Sequence, residues 1–226
     1  MLFPRHLTGS LLLTFLAGAP TLAARIGPSF DCARATQASE RAICTSTYLP
    51  TLDRRVAAAY AEARRVLGGE ADTWLGETLR ADQLAWLGRR NRCGADDACL
   101  AREMRARAET LSLGAPVGAG PPSGRFGFRD AAGEATVLRL NASRALARLV
   151  TFQPQDGRWM CDVQGLVTAE GGRWVLRDPD GRALAELRPH GKGGLTVSGR
   201  LPPDAPTYKY CGLNGFFTGE YRRRAP

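Results

Sequence analysis

Six cysteines, all in the part of the chain that follows an export-signal pattern, constrain the fold of this 226-residue protein more than any other feature. The first 23 residues have a short basic start at Arg5, an apolar run over residues 11–16 and small side chains up to Ala23. This pattern is typical of a cleaved signal peptide, and the run is too short to span a bilayer. An even number of cysteines in an exported chain predicts disulfide bonds, because export removes the chain from the reducing cytosol. We therefore expect a periplasmic protein, with secretion as the alternative.

A lipid attached to Cys32 is a competing interpretation of the N-terminal region. The residues directly before this cysteine, Phe30 and Asp31, are bulky and charged, whereas a lipidation site requires small side chains. Beyond the signal pattern, the sequence has no apolar run long enough to predict a transmembrane helix. The sequence thus favours a cleaved product over a lipoprotein.

A Gly/Pro-rich segment at residues 114–124 divides the chain, with three prolines and four glycines in eleven residues. Such a composition cannot continue a helix or a strand, so it predicts a linker. Before it, residues 24–113 carry apolar side chains at spacings of three and four, which predict a small helical bundle. After it, residues 125–226 alternate apolar and polar side chains between turn pairs such as Asp156-Gly157, which predict an antiparallel β sandwich or small barrel. The expected fold class is α+β, with two domains that fold separately.

A series of short motifs, found mainly within residues 30–111, resembles the pattern of a known family. The motifs are Pro28-Ser-Phe-Asp-Cys32, Glu40-Arg-Ala-Ile-Cys44, Leu52-Asp53-Arg54 leading to Tyr60, Gln83-Leu-Ala-Trp86-Leu-Gly-Arg89-Arg-Asn91-Arg-Cys93, and Cys99-Leu100. In the order and spacing of these motifs, the chain resembles the LprI-type lysozyme-inhibitor family of small exported helical domains with a four-cysteine frame. The resemblance implies a non-enzymatic protein that binds and inhibits a lysozyme-type muramidase. It does not extend beyond the predicted linker.

The four cysteines of the helical half are predicted to meet at one pole of the bundle. Cys32, Cys44, Cys93 and Cys99 all lie near predicted helix ends, so we expect two bridges among them. A bridge between Cys93 and Cys99 would close only a tight loop. We therefore favour long-range pairs, either Cys32–Cys93 with Cys44–Cys99 or the crossed alternative, since longer loops gain more stability from closure.

The two cysteines of the second half, Cys161 and Cys211, predict a third bridge. Zinc is the competing interpretation of the cysteines in the helical half. That half has no histidine and no Cys-x-x-Cys pair, which zinc sites usually contain. We therefore predict neither a metal nor a cofactor.

Two carboxylates of the motif series, Glu40 and Asp53, could be imagined as the acid pair of a glycosidase. Both lie near predicted helix starts, where negative charge is favourable, and Arg89 and Arg90 are expected close by, so a structural role is preferred. The one histidine after the signal pattern, His190, lies in a predicted turn, and no serine or cysteine near it in the sequence suggests a catalytic triad. We therefore predict no enzymatic activity.

Three further motif residues, Tyr60, Gln83 and Trp86, belong to the apolar stripes of the predicted helices. Trp86 is predicted to lie in the core, and Gln83 to hydrogen-bond buried backbone. The segment that follows is rich in fork-shaped donors suited to carboxylates, and it ends in a loop that glycine narrows. We expect this segment to contact the partner, through Arg89, Arg90, Asn91, Arg92 and Gly94.

The chain is strongly basic, with a formal net charge of +9, and most of this excess follows the predicted linker. Basic surfaces attract polyanions, but export argues against nucleic acid. Anionic glycans of the cell envelope therefore remain as an alternative partner, held by the β half. The same charge disfavours a strongly basic lysozyme as partner and favours a less basic muramidase.

Overall fold

The computed structural model describes residues 27–67, 73–113, 120–130, 132–191, 193–199 and 209–224. The predicted signal peptide and the first six residues of the predicted linker lie outside this part of the chain. The described N-terminal half is helical and the C-terminal half is made of strands. None of the described helices is both long and apolar enough to cross a membrane. The helical elements are a short 3₁₀ turn (Cys32–Arg34), α1 (Ala38–Thr45), α2 (Leu49–Val66), α3 (Trp74–Asn91) and α4 (Asp97–Thr110).

Each long helix begins at a residue suited to a helix start. Pro50 lies in the first turn of α2, where its missing N–H leaves no bond unmade. The hydroxyl of Thr73 accepts the amide of Gly76 at the start of α3, at 3.1 Å. The carboxylate of Asp96 accepts the amide of Cys99 at the start of α4, at 3.0 Å. The apolar stripes of the helices meet in one core, formed by Ile43, Leu49, Leu52, Val56, Trp86, Leu100, Ala101 and Met104.

All six cysteines are paired, but the long-range pairs expected for the helical half are wrong. Cys32 is bonded to Cys44, and Cys93 is bonded to Cys99. The second pair forms because α3 ends at Asn91 and α4 begins at Asp97, so the chain reverses and brings the two Cα atoms to 5.6 Å. The tightness of a loop therefore does not prevent a bridge where two helices meet at a sharp turn. In the other half, Cys161 is bonded to Cys211, the pair that the sequence predicts.

The strands form a closed antiparallel barrel in which each strand pairs with its neighbours in the chain. The last strand pairs with the first, with Phe126 opposite Arg223, and this pairing closes the cylinder. The α+β class is thus confirmed, and of the two predicted β architectures the barrel is correct and the sandwich is wrong. The strands are β1 (Gly124–Phe128), β2 (Ala132–Arg139), β3 (Arg144–Phe152), β4 (Met160–Glu170), β5 (Arg173–Arg177), β6 (Ala183–His190), β7 (Gly194–Ser198) and β8 (Gly219–Arg223).

The barrel wall carries an apolar patch on its outer side, at Leu138 on β2 and Leu146 on β3. Alternate residues such as Val137 and Ala147 fill the interior. Their neighbours Leu138 and Leu146 face outward, yet both are fully buried. The ends of α2, α3 and α4 pack over them and cover them. Each Å² of apolar surface that this packing removes from water stabilises the fold by about 25 cal/mol. This shared cluster consists of Ala63, Leu67, Leu75, Leu79, Leu111, Leu138, Leu140 and Leu146.

The described end of the predicted linker, residues 120–123, is buried. Arg139 donates two hydrogen bonds to the carbonyl oxygen of Pro121, at 3.2 and 2.9 Å. Arg223 donates to the carbonyl oxygen of Ser123 at 2.6 Å. β1 begins at Gly124, which the sequence assigns to the linker. Together with the shared cluster, these contacts argue against two halves that fold separately.

We predict that replacing Leu79 with Ala destabilises the barrel as well as the helices. Leu79 lies on α3, is fully buried and belongs to the shared cluster, so its truncation leaves a cavity between the halves. We expect a loss of about 2–5 kcal/mol in the free energy of unfolding. Amide hydrogen exchange of β2 and β3 should accelerate together with that of α3.

The matched control is Leu213→Ala, the same deletion at a leucine that is 87% exposed, which should change the free energy of unfolding by less than about 0.5 kcal/mol. Unchanged exchange in β2 and β3 after Leu79→Ala would show that the barrel folds independently of the helices.

Candidate partner-binding site

Two disulfide bonds and the ends of four helices meet at the end of the bundle that points away from the shared cluster. We call this end, formed by residues 27–49 and 89–99, the disulfide pole. The Cys32–Cys44 bond fixes the 3₁₀ turn to the end of α1. The Cys93–Cys99 bond closes the turn from α3 into α4. Most of the motif residues that carry the family resemblance lie at or next to this pole.

Arg90 is the centre of a polar network inside the pole. Its side chain is 5% exposed, and its guanidinium donates to Asn91 Oδ1 at 3.1 and 2.8 Å. Asn91 Oδ1 also accepts the hydroxyl of Ser39 at 2.9 Å, which links α3 to α1. Arg90 is therefore an internal residue, and its predicted role as a partner contact is wrong. Asn91 is half-buried, and its amide oxygen is committed to this network.

The two motif carboxylates flank the same guanidinium. Glu40 accepts the amides of Thr36 and Gln37 at 3.0 and 3.1 Å, and its second oxygen lies 3.9 Å from Arg90. Asp53 is buried and also lies 3.9 Å from Arg90. Burial lowers the pKa of Arg90, and the charges of Asp53 and Glu40 offset part of this effect. The guanidinium thus places one positive charge between the two acids, which agrees with the structural role preferred from the sequence.

Asp53 also holds the start of the described chain. Its Oδ2 accepts both the amide and the hydroxyl of Ser29, at 2.6 and 2.5 Å. Because Asp53 lies in α2 and Ser29 precedes the 3₁₀ turn, this contact attaches the N-terminal segment to the bundle.

Trp86 lies in the core, as predicted, and two guanidinium groups lie over its ring. The Cζ atoms of Arg90 and Arg107 are each 5.8 Å from the ring centroid. The sequence predicts a hydrogen bond from Gln83 to buried backbone, but none is found among the described residues. Instead its Oε1 accepts two hydrogen bonds from Arg107, at 3.0 and 2.8 Å, and Asp82 pairs with the same guanidinium at 2.7 Å. Arg107 is 3% exposed and was not singled out from the sequence, because nothing in the spacing of α4 distinguishes a buried arginine from an exposed one.

Tyr60 lies away from the disulfide pole. It is half-buried and packs against the shared cluster. Of the motif residues, it therefore contributes to the attachment of the barrel rather than to the pole.

The outer surface of the pole is formed by the 93–99 loop and the last turn of α3. Arg89 and Arg92 are exposed, and Gly94 is half-exposed with a left-handed φ of 58° that favours glycine. Tyr48, which the sequence analysis did not single out, is 41% exposed and donates its hydroxyl to the carbonyl of Asp97 at 3.2 Å. The structure thus brings three of the five predicted contact residues to one surface.

A second buried polar cluster lies at the turn between β5 and β6. The side chain of Asp178 has no exposed surface and accepts the hydroxyl of Tyr210. Lys209 and Arg182 lie 3.6 and 3.8 Å from the same carboxylate. Burial raises the pKa of Asp178, but the hydrogen bonds from Tyr210 and from the amide of Arg182 and the two positive charges outweigh it, so that the pKa is lowered. This cluster holds residues 209–211 against the barrel.

Metal-ligand geometry is not evident in the described residues. All six cysteines are in disulfide bonds. In the same part of the chain, no three His, Cys, Asp or Glu side chains are grouped as metal ligands.

Comparison with known proteins found no matching family model, no matching curated protein and no matching solved structure. The interpretation of the pole therefore rests on the motif resemblance and on the geometry described above.

We predict that Arg90→Ala lowers the free energy of unfolding by about 3–5 kcal/mol, because it leaves the buried carboxylate of Asp53 without a counter-charge. Arg92→Ala, an identical change at an exposed position two residues away, should change it by less than about 0.5 kcal/mol. Urea unfolding of both variants measures the difference. Equal stabilities would mean that Arg90 is dispensable to the network.

We also predict a pH-dependent contribution from Asp178. Because its pKa is lowered in the folded state, its stabilisation is present above the unfolded-state pKa of about 3.9 and is lost as the pH falls through the folded-state value. Asp178→Asn should therefore destabilise the barrel by about 1–3 kcal/mol at pH 7. The difference from the unmutated protein should shrink below about pH 4. Asp180→Asn, at an exposed member of the cluster, is the control, and a difference for Asp178→Asn that stays constant down to pH 2 would contradict the assignment.

Proposed function

We propose that this chain is an exported, non-enzymatic protein that binds and inhibits a lysozyme-type muramidase through the outer surface of the disulfide pole. The observation that carries the proposal is the 93–99 loop, a disulfide-closed turn with exposed residues and two exposed arginines beside it. The motif resemblance covers the same half of the chain. The three disulfide bonds support an oxidising compartment, with the periplasm as the proposed location and secretion as the alternative.

Several bonds hold the 93–99 loop in one conformation before any partner arrives. The amide of Gly94 donates to the carbonyl of Asn91 at 3.1 Å, and that of Asp96 donates to the carbonyl of Cys93 at 3.1 Å. The disulfide closes the same turn. A loop ordered in advance loses little conformational entropy on binding, which favours affinity and suits insertion into an enzyme cleft.

The chemistry of the loop's surroundings fits the cleft of a glycosidase. Such clefts carry two carboxylates, and a guanidinium group can donate two parallel hydrogen bonds to one of them. Arg89 and Arg92 are exposed at the end of α3 and are available for this contact. Arg92 makes one long hydrogen bond, to the carbonyl of Gly88 at 3.4 Å, which is easily exchanged for a stronger one. The net charge of +9 favours a partner less basic than the common animal lysozymes.

Anionic envelope glycans, held by the β half, are the second candidate partner. The basic composition of the β half favours this candidate, but the described barrel supports it less, because many of the barrel's basic side chains are already in ion pairs. Ion pairs of 2.5–2.8 Å join Arg125, Arg148, Arg158, Arg177, Arg188 and Lys209 to neighbouring carboxylates. Paired charges attract a distant polyanion weakly, since the field of each pair falls off faster than that of a single charge.

We predict that the double variant Arg89→Ala/Arg92→Ala weakens inhibition at least tenfold, which corresponds to about 1.4 kcal/mol of binding free energy. The measurement is the rate of cell-wall lysis by muramidases of differing charge, with and without the mature protein. The melting temperature should be unchanged, because both arginines are exposed.

The matched control is Arg64→Ala/Arg80→Ala, which removes the same charge from exposed positions on α2 and α3 away from the pole. Equal weakening of inhibition by both double variants would show that the effect comes from net charge and not from a contact at the pole. If the unmutated protein inhibits none of the muramidases, the proposal is contradicted and glycan binding becomes the favoured function.

A further inference from the structure

A cleft of about 380 Å³ lies where the helical half meets the barrel, between α2 and α4 on one side and β1 and β8 on the other. Its floor is apolar and is formed by Ala59, Ala108, Leu111 and Leu113. This volume lies in the range of small-molecule binding sites, which typically measure about 300–1,000 Å³. The disulfide pole is at the opposite end of the bundle, so the cleft is independent of the proposed inhibitory surface.

The rim of the cleft is strongly positive. Arg55 comes from α2, and Arg125 and Arg223 come from the two strands that close the barrel. Arg224 directly follows the second of these strands. The single acid among the lining residues is Glu62. Arginines from both halves of the chain therefore line one cleft, which concentrates positive potential there.

Internal pairing does not cancel this charge. Arg125 forms a two-pronged ion pair with Glu134 at 2.8 and 2.9 Å, and Arg224 shares the same carboxylate at 3.5 Å. Arg223 donates only to the uncharged carbonyl oxygens of Leu113 and Ser123. One carboxylate thus serves two of these three guanidinium groups, and the third has no counter-charge among the described residues.

The helical side of the rim adds one more uncompensated charge. Glu62 is already bound by Arg65, at 2.7 and 2.6 Å, and the hydrogen bond from Arg65 lowers the pKa of Glu62. Within the described chain, Arg55 has neither an ion-pair partner nor a hydrogen-bond partner on its side chain. The cleft and its immediate surroundings therefore hold five guanidinium groups and two carboxylates, an excess of three positive charges.

We propose that this cleft binds one small amphipathic anion, with its carboxylate or phosphate group at the arginines and its aliphatic chain on the apolar floor. A purely inorganic anion would leave the floor in contact with water, whereas a neutral apolar molecule would leave the guanidinium groups without a counter-charge. Guanidinium groups bind carboxylate and phosphate in the same fork-shaped geometry, so both head groups satisfy the site. Fatty acids and phospholipid-derived anions are the two natural sources of this chemistry.

The test is isothermal titration of the mature protein with octanoate and with octyl phosphate, below the concentrations at which they form micelles. We expect each to bind with a stoichiometry of one and to raise the melting temperature. Shortening the chain should weaken binding by about fourfold for each methylene group removed. The tighter of the two head groups identifies the source as a fatty acid or a phospholipid.

Two matched controls separate the site from general surface effects. Octyltrimethylammonium has the same chain and the opposite charge, and it should not bind. Arg55→Gln/Arg224→Gln should weaken octanoate and octyl phosphate at least tenfold, whereas Arg64→Gln/Arg80→Gln, the same charge change outside the cleft, should leave both unchanged.

Three results would overturn the proposal. The first is that neither anion binds at about 10 mM, a concentration well above the dissociation constants of small-molecule sites. The others are that octyltrimethylammonium binds as tightly as the anions, or that both double variants bind them with equal affinity. Melting curves of the variants establish that they are folded. Because Arg89 and Arg92 are not involved, the outcome is independent of whether the protein inhibits a muramidase.

Discussion

The arrangement of the whole molecule depends on one constraint, which is that the outer wall of the barrel carries an apolar patch on β2 and β3. Leu138 and Leu146 face outward and cannot remain in water without a large loss of favourable burial. The ends of α2, α3 and α4 cover them. This docking orients the bundle, so that the disulfide pole points away from the barrel and a cleft is left beside the covered strip.

The motif residues have an internal role more than a surface role. Arg90, Asp53, Glu40 and Asn91 form one network that ties three helices and the N-terminal segment together. A motif of this kind reflects the internal structure of the pole, because a buried charge tolerates few substitutions. Arg89 and Arg92, to which we assign the proposed partner contact, belong to the motif series but lie outside this buried network. The resemblance therefore supports the scaffold more directly than it supports the target.

The sequence predicted the broad architecture well, because local patterns decide it. Helical spacing, strand alternation and turn pairs indicated a bundle followed by an antiparallel β structure, and the choice between sandwich and barrel depended on the pairing of β1 with β8, which no local pattern shows. The pairing of Cys93 with Cys99 was missed because it depends on where α3 ends and on how sharply the chain reverses. Arg107 was missed because its burial is a property of the packed bundle. The cleft is likewise formed by residues from distant parts of the chain.

The closure of the barrel by its final strand also sets an order of assembly. Until β8 pairs with β1, both strands present open edges, and such edges are prone to pair with other chains. The two disulfide bonds of the helical half, by contrast, join cysteines only 12 and 6 residues apart, so they can form before the barrel closes. Since β8 carries Arg223 and contributes to the cleft, the cleft exists only in chains that have completed their barrel. A molecule bound there would select the finished protein from its incompletely folded forms and shield it from self-association.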